Sequence, residues 1–359
     1  MTDLTGPTSR SFRAVAPSNI ALVKYWGKRD EATQWPANDS LSMTLSESQT
    51  ITTARRTSDG FDSFSMSGHT LHSREDADHK IFHHLNRVRE SLNVSGRLEI
   101  ISENTFPTGC GIASSASGFA ALTLASAAAL TGESAWDALA TRGATRTKLA
   151  DWARMGSGSA GRSLLGGFSR WNTGEHANAQ TIRQEFTQDH WDLADVIVVL
   201  SSQEKHTSSS EAHRAAWGSP LFAARLAGVP ERIKIVTQAI RERELPLLGR
   251  EIEADAMEMH AVAMTGSPAI NYFSEDTIRF TAWVRKQRGA GNFPAWFTID
   301  AGPNVHLICR QSDASDIATT IRKEWKNAKL IMDRVGSGPT IEISTQFKSA
   351  CHELTGGLS

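Results

Sequence analysis

The sequence predicts an α+β fold, in which helices and strands do not alternate as regular βαβ repeats. Apolar runs typical of strands occur in both halves of the chain, and so do helical repeats of apolar residues, without a fixed alternation. With 359 residues, of which 40% are hydrophobic and 21% charged, the chain is long enough for two domains or one large two-lobed unit. We therefore expect a folded protein with mixed sheets and a substantial core.

The first elements are predicted to be strands. We interpret FRAVAPSNIALVKYWGKRD as a strand broken at Pro17, a turn, and a second short apolar segment that ends in a basic loop. SLSMTLS and ITTARR are predicted as two further strands. The next segment, DADHKIFHHLNRVRESLN, predicts an amphipathic helix because Ile81, Leu85 and Val88 fall on one face.

A glycine- and serine-rich turn, PTGCGIASSASG, follows the predicted strand GRLEIISEN and precedes an alanine-rich helix predicted from Ser114 to Leu130. Such a turn presents free backbone N–H groups and the positive end of the helix dipole, where a phosphate fits without a side-chain charge. Gly109 and Gly111 would allow close approach of the backbone. Ser114 and Ser115 could add hydroxyl donors or ligate a metal between two phosphates. The alternative is a tight turn into a well-packed helix, since neither the Walker pattern nor the dinucleotide fingerprint is present.

A second loop, GSGSAGRS, follows the predicted helix RTKLADWARM and leads into a strand. It places Ser157, Ser159 and Arg162 within six residues, and its composition predicts a loop too flexible for the core. A planar guanidinium beside two hydroxyls can hold a phosphate or a carboxylate in a bidentate manner. The alternative is a surface loop with a solvated arginine.

Two charged residues that are far apart in the chain are candidates for one site. Lys24 directly follows an apolar segment and could be half-buried, where an unpaired ammonium is costly. With Lys28 and Arg29 it forms a cluster of three cations in six residues, which could equally be a surface turn. The candidate anion for Lys24 is Asp300 in FTIDAGPN, where the alternative is an aspartate that forms a turn.

The C-terminal half is predicted to mix both kinds of element. ADVIVVLSS has the continuous apolar run of a buried strand, and PERIKIVTQAIRERELPLLGREIEADAMEMHAVAM predicts two helices joined near Pro246. A β-hairpin is predicted in PAWFTIDAGPNVHLIC and a late helix in DASDIATTIRKEWKN. We assign residues 12–190 to an N-terminal lobe and 191–345 to a C-terminal lobe, with tails at 1–11 and 346–359.

Charge, cysteine content and hydropathy exclude several classes of protein. A formal net charge of −1 argues against a protein that wraps a nucleic acid, but leaves open a small anionic ligand in a local basic pocket. The three cysteines lack metal-ligand spacing and favour a reducing, cytoplasmic environment. No signal peptide and no uninterrupted apolar run of about 18 residues is visible, so we expect no contact with a membrane.

Six segments, in a fixed order between about residues 12 and 340, carry a resemblance to a known family. They are NIALVKYWGKRD, PANDSLSMTL, SENTFPTGCGIASSASGFAAL, GSGSAGRSLLGGF, TIDAGPN and VGSGP. Together they resemble the ATP-dependent mevalonate diphosphate decarboxylases, a branch of the GHMP kinase superfamily. The resemblance implies a GHMP kinase fold, with an S5-like N-terminal lobe, a ferredoxin-like C-terminal lobe and a cleft between them. It also implies ATP and Mg²⁺ as cofactors and a homodimer.

The activity that the resemblance implies is a step of isoprenoid biosynthesis. ATP phosphorylates the C3 hydroxyl of mevalonate 5-diphosphate, after which phosphate and CO2 leave and isopentenyl diphosphate remains. Asp300 is implied to orient or deprotonate that hydroxyl, with Lys24 close to it. Arg162 is implied to hold the substrate carboxylate, with Asn19 holding the arginine side chain.

The resemblance also implies residues for both ligands. The substrate-binding set comprises Tyr25, Lys28, Ser157, Ser159, Arg162, Ser208, Ser209 and Ser210. The ATP-binding set comprises Pro107, Gly109, Gly111, Ser114 and Ser115. No metal ligand is assigned.

The stretch EKHTSSSEAHRAAW departs most from the family pattern. The family often has small hydroxyl residues followed by Gly-Met, whereas Ala212 and His213 stand here. Ser210 stands where some relatives place an arginine on the substrate phosphates, so a mevalonate 5-phosphate decarboxylase that forms isopentenyl phosphate is the nearest alternative. His213 is interpreted as a surface histidine in preference to a ligand.

Two further alternatives belong to other functional classes. A 3-kinase without decarboxylation is disfavoured because such relatives lack the Asp and Lys pair that Asp300 and Lys24 supply. A non-catalytic protein that binds RNA through an S5-like lobe is disfavoured by the net charge and by the lack of a basic stripe.

Overall fold

The computed structural model describes residues 10–106, 114–201 and 209–347. Its strands are β1 (Ser11–Val23), β2 (Lys28–Asp30), β3 (Trp35–Pro36), β4 (Ser40–Thr57), β5 (Ser63–Met66), β6 (His69–His72), β7 (Arg97–Asn104), β8 (Phe168–Asn172), β9 (Thr181–Phe186), β10 (Leu193–Val199), β11 (Trp296–Thr298), β12 (Val305–Arg310), β13 (Lys329–Arg334) and β14 (Thr340–Ser344). Its α-helices are α1 (Lys80–Leu92), α2 (Ser114–Thr131), α3 (Trp136–Thr141), α4 (Arg146–Gly156), α5 (Ser209–Ala215), α6 (Phe222–Glu242), α7 (Leu245–Met264), α8 (Glu275–Gly289) and α9 (Ala314–Glu324). Strands and helices occur in both halves, as the α+β prediction requires.

Two large sheets form the framework. The first has the order β14-β1-β4-β7-β5-β6, with β8 paired to β4 and β9 paired to β8, and only β5 and β7 run parallel. The second has the order β11-β12-β10-β13 and is antiparallel. The last strand, β14, lies beside β1, so residues 340–344 belong to the first sheet although they follow the second in the chain.

The predicted break at Pro17 and the predicted division of SLSMTLS from ITTARR are both wrong. β1 continues through Pro17, and β4 is a single strand of 18 residues that pairs with β1 along both of the predicted segments. The register of the two strands shifts between Pro17 and Asn19. Such an irregularity accommodates a residue without a backbone N–H, so the proline interrupts the ladder without turning the chain.

The predicted helix after the glycine-rich turn is confirmed as α2. Most of its alanines are fully buried, and it packs against β1 and β4, where small side chains allow close approach to the sheet. By length and composition it is the one helix in the described residues that could cross a membrane, yet 83% of it is buried, as in the core helix of a folded domain.

The second sheet is covered on both faces. Alternate residues of β10 point to opposite sides, so that Leu193 and Ile197 pack with α6 and α7, whereas Val196 and Val198 pack with α8 and α9. The first of these two clusters also contains Ile20 of β1 and other residues of the first sheet. The two sheets therefore share one core, which brings the end of β1 against α6 and α7.

The predicted hairpin and helix pair are confirmed with one change. β11 and β12 pair in antiparallel register, and α6 and α7 meet just before Pro246. However, α6 begins at Phe222, so Pro230 lies inside the helix and not at its start. Packing of one α6 face into the shared core outweighs the backbone hydrogen bond that this proline removes.

Candidate functional site

One cavity of about 220 Å³ brings together most of the predicted site residues. It lies where the end of β1, the start of α2, the 3-10 helix Gly158–Leu164, α5 and the chain after β11 meet. The predicted residues in its lining are Lys24, Tyr25, Lys28, Ser115, Ser157, Ser159, Arg162, Ser209, Ser210 and Asp300. Of the remaining predicted residues, Asn19 and Ser114 lie beside this lining, and Pro107, Gly109, Gly111 and Ser208 lie outside the described residues.

The lining has a surplus of positive charge. Lys24, Lys28, Lys80 and Arg162 contribute cations, against the single carboxylate of Asp300 among the lining residues that the structure describes. Side chains of one sign gathered in a concave surface concentrate ligands of the opposite sign. The cavity is therefore suited to an anionic ligand, although the whole chain carries a formal charge of only −1.

Lys24 and Asp300 form a close ion pair at the end of β1. The Lys24 side chain is 2% exposed, more buried than the sequence predicts, and its Nζ donates to Asp300 Oδ1 at 2.6 Å and to the Ala21 carbonyl at 2.7 Å. Asp300 follows β11, and 23% of its side chain remains exposed. The predicted pairing of a buried lysine with this aspartate is confirmed as a contact.

The backbone of Lys24 is held by side chains that sequence reasoning missed. Its N–H donates to Asp255 Oδ2 of α7 at 2.7 Å, and its carbonyl accepts from Asn38 Nδ2 at 2.9 Å. Asp255 is fully buried and pairs with Arg225 of α6 at 3.0 Å. Because Lys24 lies just beyond the β1–β4 ladder, these contacts replace strand hydrogen bonds and fix where its side chain begins.

Arg162 lies in the buried 3-10 helix, so the prediction of a loop too flexible for the core is wrong. The side chain is 2% exposed, and it donates to Asn19 Oδ1 at 3.4 Å and to the hydroxyl of Ser40. Burial lowers its pKa to about 10, against the opposing effects of Asp300 and Tyr25. Within the described residues its hydrogen-bond partners are neutral. A buried guanidinium held by neutral groups is available to an anionic ligand.

The glycines of the second loop make room for aromatic rings. A Cβ on Gly158 would lie 2.7 Å from Cε1 of Tyr25, and a Cβ on Gly156 would lie 2.1 Å from Cδ1 of Phe119. The hydroxyl of Tyr25 is buried without a hydrogen-bond partner among the described residues. Burial raises the pKa of Tyr25, so this hydroxyl is neutral in a residue that lines the site.

His213 lines the cavity, so its interpretation as a surface histidine is wrong. Only 5% of the residue is exposed, because its ring packs against Tyr25 and Trp26, with centroids 4.2 Å and 5.1 Å away. Its Nδ1 accepts the backbone N–H of Gly27 at 2.9 Å. Burial, and then the charge of Lys28, lower the pKa of His213 to about 3. The polar stretch around it gave no sign of this burial, which arises from packing of α5 on the segment after β1.

The start of α2 fits a nucleotide phosphate. Ser115 lies in the first turn and in the cavity lining, its hydroxyl is 3.3 Å from that of Ser157, and the first turn contains no acidic residue. No group of three His, Cys, Asp or Glu side chains that could cage a metal occurs in the described residues. Serine hydroxyls at the start of α2 fit a Mg²⁺ ion held mainly by phosphate oxygens and water, which is how Mg²⁺ is usually bound in phosphoryl-transfer sites.

A second cavity, of about 460 Å³, was not predicted from the sequence. It lies between the β5–β6 hairpin and β7, and mixes apolar side chains such as Met66 and Ile101 with the polar groups of Ser65 and Asn104. Its lining ends at Phe106, the residue immediately before the glycine-rich turn. A single sequence does not indicate which hairpin and which strand will enclose a cavity of this kind.

Comparison with protein families gives matches over both halves of the chain. The diphosphomevalonate decarboxylase-like N-terminal domain matches residues 16–182, and the mevalonate 5-diphosphate decarboxylase C-terminal domain matches residues 195–354. The diphosphomevalonate decarboxylase of Schizosaccharomyces pombe is 34% identical over 96% of this chain and 89% of its own length. The human diphosphomevalonate decarboxylase is 33% identical over 85% of this chain and 78% of its own length.

Solved structures show the same fold. Mevalonate diphosphate decarboxylase from Staphylococcus aureus superimposes with a TM-score of 0.82 and 31% identity, covering 93% of this chain and 98% of that one. A complex of MDDEF with MVAPP, AMPPCP and magnesium gives a TM-score of 0.81 and 32% identity, covering 93% and 99%. The fold class implied by the sequence resemblance is thereby confirmed.

Proposed function

The chain belongs to the diphosphomevalonate decarboxylase family, and we propose that it catalyses the ATP-dependent decarboxylation of mevalonate 5-diphosphate to isopentenyl diphosphate. The observation that carries this proposal is the cavity in which the Lys24–Asp300 ion pair lies with the buried guanidinium of Arg162. A base, a cation for the transferred group and a carboxylate anchor are the three groups that such a reaction requires.

Asp300 acts on the C3 hydroxyl. A tertiary hydroxyl is a poor nucleophile, so it must be held in line with the γ-phosphorus of ATP as its proton passes to the carboxylate. A positioned general base contributes about 10²–10⁴-fold to a rate. Lys24, whose ammonium is 2.6 Å from that carboxylate, stabilises negative charge on the transferred phosphoryl group. Mg²⁺-bound ATP supplies the electrophilic phosphorus.

In the second stage two σ bonds break and two π bonds form, one between C2 and C3 and one in CO2. The C3–O bond breaks with its electron pair going to the departing phosphate, and the bond between the carboxylate carbon and C2 supplies the pair that forms the C2–C3 double bond. The departing phosphate takes the proton that Asp300 accepted, so the aspartate is again a carboxylate and stabilises the positive character that C3 acquires. The stoichiometry is one ADP, one phosphate and one CO2 for each isopentenyl diphosphate.

Arg162 holds the carboxylate that becomes CO2. Its guanidinium is already positioned by Asn19 and Ser40, neither of which neutralises it. Asn19 is itself held, because its Nδ2 donates to Ser163 Oγ at 2.8 Å. A charge-assisted, bidentate pair with the substrate follows from this arrangement and fixes the direction in which CO2 leaves.

The remaining predicted residues bind the substrate or ATP. Tyr25, Lys28, Ser157, Ser159 and the serines 208–210 bind the substrate, and Ser114 and Ser115 bind ATP together with Pro107, Gly109 and Gly111. The mixed cavity before the glycine-rich turn supports this arrangement, since a purine could occupy it with its phosphates directed toward α2. We also propose a cytoplasmic homodimer, divided into lobes near residue 190, which size-exclusion chromatography with light scattering and limited proteolysis would test.

The test uses purified protein with ATP and Mg²⁺. Mevalonate, mevalonate 5-phosphate and mevalonate 5-diphosphate are offered separately, and ADP and CO2 are recorded together. We expect ADP and CO2 in equal amounts with the diphosphate alone. Equal amounts of ADP and CO2 with the monophosphate instead would show that the protein is a mevalonate 5-phosphate decarboxylase, the alternative suggested by the stretch around Ser210. Release of ADP without CO2 would overturn the decarboxylase proposal in favour of a 3-kinase.

A further inference from the structure

His213 lines the cavity although the sequence is interpreted as placing it on the surface. The side chain is on the short helix α5, next to the serines that are expected to bind substrate, and Lys28 lines the same cavity. Neither the family pattern nor the mechanism above assigns it a role. Its geometry nevertheless determines what it can do.

The hydrogen bond from Gly27 fixes the protonation of the ring. A backbone N–H can donate only to an imidazole nitrogen that carries a lone pair, so Nδ1 is unprotonated and the proton of neutral histidine lies on Nε2. A protonated ring would set two donors against each other at 2.9 Å. Nε2 makes no hydrogen bond within the described residues. The ring therefore presents one fixed N–H donor to the cavity.

The neighbours of His213 favour a phosphate oxygen as the acceptor. Lys28 supplies a positive charge, and Tyr25, whose ring packs against that of His213, has a buried neutral hydroxyl without a partner among the described residues. Ser209 and Ser210 add exposed hydroxyls from the same helix. The only carboxylate among the described residues of the lining, Asp300, is already paired with Lys24. One cation surrounded by neutral donors matches an oxyanion with several acceptor oxygens.

We propose that His213 is a specificity-determining residue, whose Nε2–H donates to a phosphate oxygen of the substrate beside Lys28. The proposal rests on the proposed function, because it takes the substrate to be a phosphorylated mevalonate. It gives the chain a fixed neutral donor in the segment that departs from the family pattern, where Ser210 stands in place of the arginine of some relatives.

Two substitutions separate this role from a structural one. In His213→Asn, the side-chain oxygen can replace Nδ1 as acceptor for Gly27, but no donor remains at the position of Nε2. In His213→Gln, the longer amide can replace the Nε2 donor, but the acceptor for Gly27 is lost. The two variants therefore distinguish a role of His213 in ligand binding from a role in holding the backbone of Gly27.

We expect His213→Asn to raise KM for mevalonate 5-diphosphate about 10- to 100-fold with kcat within about threefold, as for a lost hydrogen bond to a charged group that is made equally in ground and transition states. His213→Gln should keep KM within about threefold of the wild type, although its melting temperature falls further than that of His213→Asn. Inorganic pyrophosphate, as a competitive inhibitor, should bind His213→Asn more weakly by a similar factor.

Equal KM values for the two variants, or a loss confined to kcat, would overturn the proposal and leave His213 as a support for Gly27. A wild-type protein that releases no CO2 from any mevalonate would instead overturn the proposed function. The phosphate contact of His213 can be tested independently of catalysis. Calorimetry would compare the affinities of the wild type and His213→Asn for inorganic pyrophosphate. Equal affinities there would contradict the phosphate contact.

Discussion

Two groups of residues in the cavity are built in different ways. The Lys24 group consists of Lys24, Arg162 and Asp300, whose charged atoms are held by a close ion pair and by buried partners. The Lys28 group consists of Tyr25, Lys28, Ser209, Ser210 and His213, which offer mostly neutral donors. Ser209 and Ser210 are exposed, whereas Lys24 and Arg162 are each 2% exposed.

The difference follows from what each group must do. Groups that stabilise developing charge are effective only when they are oriented before the reaction, because reorganising them would consume the benefit. Groups that bind a phosphate act on a ligand with several equivalent oxygens, so different donors can replace one another. The stretch that departs from the pattern of the resemblance contains Ser210 and His213 of the Lys28 group, whereas the members of the Lys24 group lie in segments that carry the resemblance.

The largest effect is expected for Asp300→Asn. The amide keeps the size of the side chain but removes both the proton acceptor and the negative charge beside C3. We expect kcat to fall about 10²–10⁴-fold with little change in KM, measured as CO2 and ADP release under saturating substrate. A fall of less than tenfold would show that Asp300 is not the base. The melting temperature serves as the control for folding, since Lys24 loses its charged partner in this variant.

A smaller effect is expected for Arg162→Lys, which keeps the charge but loses the planar fork. Asn19 and Ser40 can no longer orient the cation, so the substrate carboxylate loses a bidentate partner. We expect kcat/KM to fall about 10²–10³-fold. Arg170→Lys is the matched control, because Arg170 pairs with Asp39 at 2.5 Å and does not line the cavity. Equal losses in the two variants would show that the effect is not local.

Acid should destabilise the protein through three buried histidines. Burial, as the largest cause, lowers the pKa values of His84, His213 and His260 to about 3. Their folded-state pKa values lie below the unfolded value, so the stability they contribute is present above about pH 6.5 and is lost as the pH falls from there toward 3. Each contributes a slope of about 1.4 kcal/mol per pH unit in that window.

Urea unfolding between pH 7.5 and 5 measures this slope. His84 lies in α1, outside the cavity. His84→Asn should therefore reduce the pH dependence of the free energy of unfolding by the contribution of one histidine while leaving KM unchanged. His213→Asn should reduce it by the same amount and also raise KM. A free energy of unfolding that does not change with pH would contradict the burial of these rings as neutral groups.

Sequence reasoning predicted the Lys24 group better than the contacts that hold it. An ammonium after an apolar strand needs an anion, and this physical requirement linked Lys24 to Asp300 across 276 positions. No comparable requirement pointed to Asp255 and Arg225, which lie in amphipathic helices where charged residues are ordinary. Their burial follows from how α6 and α7 pack on β1, which only the tertiary structure shows.

Elements whose formation depends on the local sequence pattern were predicted correctly. Features that depend on contacts with distant segments were not. The helix α2 and the buried strand β10 follow from composition, and both are confirmed. The continuity of β1 through Pro17 depends on a register shift with β4, and the 3-10 helix around Arg162 depends on room for Tyr25 and Phe119. Neither cause is local to the segment that it affects.

The smallest effect is expected for Ser210→Ala, which tests how replaceable the Lys28 group is. The residue is exposed in the first turn of α5, so its hydroxyl exchanges a water contact for a phosphate contact, and the net loss is about 0.5–1.5 kcal/mol. We expect KM to rise about two- to tenfold and kcat to remain unchanged in steady-state assays with mevalonate 5-diphosphate. Arg214 lies on the same helix as Ser210 and forms an exposed ion pair with Glu31. Arg214→Gln removes this pair and should change neither constant appreciably. If Ser210→Ala instead lowered kcat as much as Arg162→Lys, the two groups would not differ in kind, because an exposed hydroxyl would then be as necessary to the transition state as a buried guanidinium.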